Sequence, residues 1–184
     1  MKNLRKLFLG ALLTGVSAFA ASTGPAVTQT DPVTQQVMHQ IRMYPYYSVF
    51  DDVKVRVDNG NVELIGEVTQ PYKKSDLNRI VAHTPGVTTV TNDVKVLPLS
   101  NFDNRIRVQT ARAIFRDPVL SKYAIQAVPP IHIIVDNGHV TLEGVVDTQF
   151  DDTIIRTRAN QVPNVFSVTD NLIILNPPKK KKEE

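Results

Sequence analysis

The chain has 184 residues, of which 42% are hydrophobic and 21% charged, and it contains no cysteine. The missing cysteine excludes disulfides, a thiol nucleophile and anchoring through a lipidated cysteine, so the chain is not expected to be a lipoprotein. The formal net charge of +3 lies in Lys2, Arg5 and Lys6, since removing these three from 21 basic residues leaves 18 against 18 acidic ones. A formally neutral remainder gives no support for nucleic-acid binding.

Residues 1–20 have the pattern of a cleavable secretory signal peptide. Basic residues precede an apolar run from Leu7 to Val16, and Ala18-Phe19-Ala20 supplies the small-x-small site of signal peptidase. The run is short for a membrane span, although an uncleaved anchor remains the alternative. The sequence therefore predicts export. Residues 21–30 have no periodicity and are predicted to form a flexible lead-in.

One ten-residue stretch occurs twice and predicts two β-hairpins. Residues 57–66, Val-Asp-Asn-Gly-Asn-Val-Glu-Leu-Ile-Gly, recur as residues 135–144, Val-Asp-Asn-Gly-His-Val-Thr-Leu-Glu-Gly. Asn-Gly between alternating apolar residues favours a two-residue type I′ turn. We therefore expect Asn59-Gly60 and Asn137-Gly138 at the tips, with residue 57 opposite residue 62 in the first copy.

The repeat extends well beyond the hairpins. An offset of 78 residues relates the copies as far as Val96 and Ile174, whereas an offset of 73 relates them before the hairpin. This is internal duplication, and the second copy carries about five extra residues between Ser121 and Pro130. Gly66 and its counterpart Gly144 close their strands and predict a bulge or a close backbone approach.

Each copy has the element order helix, strand, strand, helix, strand. In the first copy, helical spacing begins at Asp31-Pro32 and ends near Tyr44, and a second helix is predicted from Pro71 to His83. Apolar and polar residues alternate along the strands, so each sheet has one apolar face, and we expect the helices to cover that face. The sequence thus predicts an α+β fold of two tandem αββαβ modules, each a three-stranded sheet covered on one face by two helices.

The predicted domain boundaries follow from this order. They are residues 31–97 for the first module, 98–101 for a linker, 102–175 for the second module and 176–184 for a charged tail. The linker is short enough to restrict the relative orientation of the modules, but it does not decide whether they dock.

The residues resemble the BON domain family. The pattern V-x-V-x-V-x-N-G-x-V-x-L-x-G-x-V spans Val53 to Val68, and a helix ending before Thr84-Pro85-Gly86-Val87 leads to the third strand at Asn92 to Val96. Ile131 to Val146 and Val162 to Ile174 repeat it, with asparagine replacing the glycine after the helix. Within the family, the chain is similar to exported, osmotically inducible proteins and to outer-membrane lipoproteins with two BON domains, and it resembles the former more because it lacks a cysteine to be lipidated.

The resemblance implies the αββαβ fold, a periplasmic or other envelope location, no catalysis, no cofactor, and association with phospholipid or with client proteins. It carries no list of site residues, because the shared positions are mostly structural. The turn and strand-end residues that recur in both copies are predicted to be structural, namely Asn59, Gly60, Gly66, Asn137, Gly138 and Gly144.

The residues themselves give little indication of catalysis or of a metal. The chain has no Gly-x-Ser-x-Gly elbow, no phosphate-binding glycine loop and no His-Glu-x-x-His. Its four histidines have no ligand spacing. The hairpin register places His132 opposite Glu143 and His139 opposite Asp136, which favours solvent-facing cross-strand pairs.

Two pairs of adjacent acids lie at predicted element ends. Asp151-Asp152 are expected to place negative charge at a helix N-terminus, whereas Asp51-Asp52 are expected in a loop or at a strand edge.

The first helix of the second module is the best candidate for a functional site. At 100° per residue, arginines line up beside an apolar strip on a side away from the core, which gives the candidate contact residues Arg105, Val108, Arg112, Phe115 and Arg116. Such a surface suits the headgroup region of an anionic bilayer. The alternative is that the valine and phenylalanine pack against the first module while the arginines are merely solvated.

Other features leave the function open. The aromatic cluster Tyr44 to Tyr47 either caps the core or forms a binding platform, and Lys179 to Lys182 could add weak attraction to an anionic surface. The first hypothesis is a non-enzymatic envelope protein that binds phospholipid surfaces in envelope or osmotic stress protection. The second is a chaperone-like or scaffolding protein for client proteins, and salt should separate the two. Small-ligand binding between the modules has no residue signature.

Overall fold

The computed structural model describes residues 31–177. The predicted signal peptide, the flexible lead-in and the lysine-rich end of the tail lie outside the described residues.

The described residues form two αββαβ modules in the predicted order. The first module comprises α1 (Pro32–Met43), β1 (Asp52–Asp58), β2 (Asn61–Val68), α2 (Pro71–Ala82) and β3 (Thr89–Val96). The second comprises α3 (Asn101–Phe115), a 3-10 helix (Ser121–Ala124), β4 (Ile131–Asp136), β5 (His139–Thr148), α4 (Gln149–Asn160) and β6 (Ser167–Asn176). The predicted α+β fold is confirmed, and the 3-10 helix lies where the second copy has its extra residues.

Each module has its own three-stranded sheet, with strand orders β1-β2-β3 and β4-β5-β6. The first two strands of each sheet are antiparallel, and the third runs parallel to the central strand after the crossover helix. The predicted hairpin register is confirmed, with Val57 opposite Val62 and Val135 opposite Val140.

The hairpin tips have the expected left-handed backbone. The φ angles are 48° at Asn59 and 81° at Gly60, and 52° at Asn137 and 81° at Gly138. Positive φ at both central residues is the requirement of a type I′ turn, which explains why this dipeptide occurs in both copies.

Glycine is required at two equivalent strand positions because the neighbouring backbone approaches closely there, as predicted. Gly66 and Gly144 have φ angles of 129° and 118°. A Cβ at Gly66 would lie 2.1 Å from the carbonyl oxygen of Asp52, and a Cβ at Gly144 would lie 2.0 Å from that of Pro130. No side chain fits at either point, so these glycines are structural.

Each module encloses its own core between its sheet and its helices. The first core includes Val37, Ile41, Leu64, Leu77 and Val81, all buried. The second includes Ile106, Ile114, Ile133, Leu142 and Ile155, also buried. Full burial of one such side chain stabilises the fold by roughly 1.5–3 kcal/mol.

The two modules dock, and each contributes apolar side chains to the core of the other. Val49 and Phe50, in the loop before β1, pack against the core of the second module. In return Val128, from the insert of the second module, packs against the core of the first. The five-residue insert therefore has a structural role at the interface.

Polar contacts cross the same interface. The backbone N–H of Ile133 donates to the carbonyl oxygen of Val49 at 2.8 Å. Two ion pairs also join the modules, Lys54 Nζ to Glu143 Oε2 at 3.0 Å and Lys95 Nζ to Asp136 Oδ2 at 2.8 Å. Because both lysines are exposed, the ion pairs should stabilise the interface less than the main-chain hydrogen bond and the packing of apolar side chains do.

A buried ion pair fixes the loop before β1 to the start of α2. The Asp51 carboxylate accepts hydrogen bonds from the backbone N–H and hydroxyl of Ser48, from the backbone N–H and hydroxyl of Thr69, and from Lys73 Nζ at 2.6 Å. Asp51 is in the loop and Asp52 begins β1, in line with the positions expected from the sequence.

In the second module, the corresponding place carries an ion pair with the charges exchanged. Lys122, in the 3-10 helix, donates to Asp151 of α4 at 2.9 Å and to Asp147 at 2.8 Å. The hydroxyl of Tyr123 also donates to Asp151. Asp151 and Asp152 lie in the first turn of α4, as expected for acids at a helix N-terminus.

Candidate functional site

The helix α3 has a buried side and an arginine-bearing side. It begins after Ser100, whose hydroxyl accepts the backbone N–H of Asp103 at 3.1 Å. Ile106, Thr110 and Ile114 are buried, as the helical spacing predicts. The helix is therefore held to the sheet along one side, and its opposite side is available for contact.

The three predicted arginines lie together on this outer side. Arg105, Arg112 and Arg116 are exposed. Within the described part of the chain, Arg105 makes one local hydrogen bond to the carbonyl oxygen of Asn101, and no ion pair neutralises any of the three. The structure thus brings the predicted cations together and leaves their charge unbalanced by a partner.

Shallow depressions flank the arginines. One of about 550 Å³ lies between the C-terminal ends of α3 and α4 and is lined by Arg112, Arg116 and Arg158. A second, of about 450 Å³, lies beside Arg105, Val108 and Arg112. Arg112 borders both, so the surface offers two adjacent places for an anionic group.

Arg158 is only partly available because it is already paired. Its guanidinium donates to the Asp117 carboxylate at 2.8–2.9 Å, and this hydrogen bond holds the pKa of Asp117 below its usual value. Arg158 replaces an isoleucine of the first module, so the pair is particular to the second module.

The two apolar candidates have different environments. Val108 is 39% exposed beside the arginines. Phe115 is partly buried and packs against the core of the second module, to which Val49 and Phe50 of the first module also contribute. Of this predicted apolar strip, Val108 is the member that reaches the surface.

An exposed aromatic cluster near the start of α3 was not found from the sequence. The rings of Phe102 and Phe166 lie 5.9 Å apart, and the His139 ring lies 5.9 Å from Phe166. The two phenylalanines are 39% and 67% exposed and lie over Gly138 at the hairpin tip. The residues come from α3, from β5 and from the loop before β6, so no single periodic pattern contains them. Comparison of the repeats gives one signal, since Phe166 stands where the first module has Thr88.

Arg107, also on α3, was missed as a structural residue. It is buried, and its Nη2 donates to the carbonyl oxygen of Val135 at 2.6 Å. Burial lowers its pKa. The neighbouring Asp103 accepts the backbone N–H groups of Asn137 and Gly138. These two charged side chains fix α3 to the hairpin rather than serve a ligand.

The tyrosine cluster of the first module divides into two parts. Tyr44 and Tyr47 are buried in the core, and the Tyr44 hydroxyl donates to Asp76 at 2.6 Å. Burial raises the pKa of both tyrosines. Tyr46 is exposed and lies edge-on to Tyr72 at 5.8 Å. The core-cap interpretation therefore applies to Tyr44 and Tyr47.

A cleft of about 690 Å³ lies between the modules. Its walls include Ile41 and Val128, and its polar groups include Asp52, His132 and Glu143. No sequence pattern indicates this cleft, because its residues come from both modules and meet only when the modules dock.

Residues 31–177 contain neither a group of side chains that could bind a metal ion nor a helix that could span a membrane. No group of three or more His, Asp or Glu side chains in this range could hold a metal ion. Every helix of the same range is too short or too polar to cross a bilayer.

The fold and its repeated glycine and turn positions define a protein built from two small αββαβ modules. The family model of the BON domain matches residues 29–98 and 103–176. The chain therefore belongs to the BON domain family, as the resemblance indicated. BON domains occur in periplasmic and other envelope proteins, and they are generally described as binding membrane phospholipids.

Comparison with solved structures finds CdsD, a structural protein of the type III secretion system of Chlamydia trachomatis. Its C-terminal domain is 14% identical, with 80% of this chain and 99% of that chain covered and a TM-score of 0.28. A second CdsD structure is 15% identical, covering 79% of this chain and 92% of that chain, with a TM-score of 0.27. These likenesses are too weak to carry functional information. No curated protein sequence matches the chain.

Proposed function

We propose that this is a non-enzymatic, exported envelope protein that binds anionic phospholipid surfaces through the outer side of α3. The observation that carries the proposal is the unneutralised row formed by Arg105, Arg112 and Arg116, with Val108 exposed among them. A role in envelope or osmotic stress protection is part of the proposal and rests on the family resemblance.

Electrostatics supports a peripheral contact. A cation held near an anionic leaflet contributes about 1 kcal/mol, so three arginines contribute roughly 3 kcal/mol at moderate ionic strength. The same groups are exposed on a folded helix, so contact requires no unfolding. Binding of this strength is reversible and decreases as salt screens the charges.

The aromatic cluster supports the same orientation. Phe102 is one helical turn before Arg105, and the exposed ring of Phe166 lies beside it. Apolar rings next to cations are the composition of interfacial helices, whose apolar groups enter the boundary between headgroups and acyl chains. In this arrangement, the start of α3 and the tip of the second hairpin meet the bilayer together.

Charge reversal on α3 tests the proposal. The double variant Arg112→Glu/Arg116→Glu is expected to bind vesicles of phosphatidylglycerol and phosphatidylcholine at least about thirtyfold more weakly, since two attractive charges become repulsive. The measurement is cosedimentation with vesicles at several salt concentrations.

The first module supplies a control at equivalent positions, with half the change in net charge. His39→Glu/Met43→Glu changes the equivalent positions of α1, 73 residues earlier, and both of those residues are exposed. Its binding should remain within about twofold of the parent apart from the general effect of net charge. Equal loss in both double variants, or no loss in either, would contradict a site on α3.

Client binding is the second candidate function, favoured by exposed apolar groups on an edge strand. Ile173 and Leu175 lie on β6, and both are more than half exposed on the face opposite the core. An edge strand with such residues can accept an extended segment of another protein. Binding of a reduced, unfolded client that persists at high salt and is lost in Ile173→Ser/Leu175→Ser would favour this function over lipid contact.

A further inference from the structure

The cleft between the modules has the size and the mixed lining of a small-molecule site. Its volume of about 690 Å³ falls within the usual range for such sites, roughly 300–1,000 Å³. It is bounded by α1 and β1 of the first module and by the insert, β5 and β6 of the second. It shares no residue with the arginine surface of α3.

One end of the cleft is acidic and incompletely neutralised. The Asp52 and Glu143 side chains are each 13% exposed and share Lys54, whose Nζ lies 3.0 Å from Glu143 Oε2 but 3.7 Å from Asp52 Oδ2. Asn171 donates to the other oxygen of Glu143 at 2.7 Å. The Glu143 carboxylate thus accepts hydrogen bonds from two donors, whereas the Asp52 carboxylate has only the longer contact with Lys54.

His132 adds an unsatisfied polar atom to this end. Its Nδ1 is buried and has no hydrogen-bond partner within the described part of the chain. The ring lies 5.8 Å from that of Tyr47, so it is held in place beside the cleft. A buried nitrogen without a partner is costly unless water or a ligand supplies one.

Burial and neighbouring carboxylates both disfavour the charged form of the acids here. Burial raises the pKa of Asp52, and Glu143 adds to the rise although His132 and Lys54 oppose it. Burial likewise raises the pKa of Glu67, with a further contribution from Asp52. A cation placed at this end would relieve the repulsion among the carboxylates.

Much of the remaining lining of the cleft is apolar. Its walls are formed by side chains of both modules, chiefly Met38, Ile41, Val55, Val128, Pro129 and Pro130. The further basic residue at the cleft, Arg42, is exposed on α1. A ligand that fills the cleft therefore meets both carboxylates and hydrocarbon.

We propose that the inter-module cleft binds a small organic cation with an apolar body, its ammonium group beside Asp52 and Glu143 and its hydrocarbon part against Ile41 and Val128. The ammonium donates to the free carboxylate oxygens of Asp52, and the apolar body replaces water along the walls. Because the cleft exists only between docked modules, the ligand also joins them, so binding stabilises the docked pair.

Paired probes of equal size test this inference. Titration of the ¹⁵N-labelled protein with 2-phenylethylamine should shift amide signals of cleft residues, and 2-phenylethanol should bind at least about tenfold more weakly because it lacks the charge. Asp52→Asn should weaken amine binding by about tenfold and leave the alcohol unchanged. Glu143→Gln should act in the same direction and serves as a second variant should Asp52→Asn fold poorly.

Asp58→Asn is the matched control, because it makes the same change at the exposed far end of β1. It should leave both affinities unchanged. Equal binding of amine and alcohol, signal shifts spread outside the cleft, or unaltered amine binding in both cleft variants would overturn the inference. Asp52→Asn should retain vesicle binding, so failure here is distinguishable from failure of the lipid proposal.

Discussion

The two modules carry ion pairs of opposite orientation at the same place in the fold. Lys73 of α2 and Asp151 of α4 are equivalent residues, 78 positions apart. In the first module the helix supplies the lysine and the loop supplies Asp51, whereas in the second the helix supplies the carboxylate and the 3-10 helix supplies Lys122. The difference shows that an attractive contact at this point is compatible with either sign on the helix.

The two pairs differ in burial, and this difference sets their expected energies. In the first module the lysine and aspartate side chains are 7% and 0% exposed. In the second, Lys122 is 45% exposed and is shared with Asp147. Removing one partner from a buried pair leaves an uncompensated charge, whereas an exposed lysine can be solvated.

The largest expected effect is therefore on the first pair. Asp51→Ala should lower the free energy of unfolding by about 3–5 kcal/mol, because Lys73 and the donors of Ser48 and Thr69 lose their acceptor. Asp151→Ala should cost about 1–2 kcal/mol, since Lys122 keeps Asp147. Urea unfolding of both variants measures the difference.

The charge-exchanged variant Asp51→Lys/Lys73→Asp sharpens this comparison. It imitates the second module, but a lysine at position 51 cannot accept the backbone N–H groups of Ser48 and Thr69. We expect it to recover less than half of the lost stability. Full recovery, or equal losses in the two single variants, would show that the two pairs are energetically equivalent.

The next effect concerns the dependence of one module on the other. Phe50 belongs to the first module but packs against the core of the second. Phe50→Ala should cost about 2 kcal/mol, less than a fully buried phenylalanine, and should speed hydrogen exchange in β4 and β5. Tyr46→Ala, in the same loop but exposed, is the control. Unchanged exchange in β4 of the Phe50 variant would mean that the modules are independent.

The smallest effect is a difference in pH dependence between Asp52 and Asp151. Burial raises the pKa of Asp52, so the native state holds its proton more tightly than the unfolded chain. The contribution of Asp52 to stability is therefore greatest below its unfolded pKa, about 3.9, and is lost as pH rises through the folded value.

Asp151 should behave in the opposite way. Burial would raise its pKa, but hydrogen bonds from Lys122, Tyr123 and Thr148 outweigh burial and lower it. Its contribution is present above about pH 4 and is lost as pH falls through the folded pKa. Between pH 3 and pH 7, Asp52→Asn should make the unfolding free energy increase more with pH, and Asp151→Asn should make it increase less. The same slope change in both variants would contradict these assignments.

The sequence predicts the fold well because its main determinants are local. The Asn-Gly turns specify the hairpin register, and Pro32 and Pro71 mark helix starts that the structure confirms. The need for glycine at positions 66 and 144 was also predictable because the two recur at the same position of the repeat, although both lie inside their strands rather than at the ends. Each of these features depends on a few neighbouring residues.

The candidate site was only partly predictable because much of it is non-local. Arg112 and Arg116 are exposed at the end of α3, on the side that helical spacing indicates. The same spacing could not show that Arg107 is buried, because its burial depends on the carbonyl oxygen of Val135. Likewise Phe102, His139 and Phe166 are far apart in the sequence and become neighbours only in the fold, so no short window of the sequence contains all three.

The module comparison also supplies the most direct test of lipid contact by the second module. The chain has no tryptophan, so Phe166→Trp and its first-module counterpart Thr88→Trp each introduce a single tryptophan, excited apart from the tyrosines, at an exposed position. With vesicles containing phosphatidylglycerol, we expect the emission of the Phe166 variant to shift to the blue and to be quenched by brominated acyl chains, with no change in the Thr88 variant. A shift in both variants, or in neither, would contradict contact through α3 and the tip of the second hairpin.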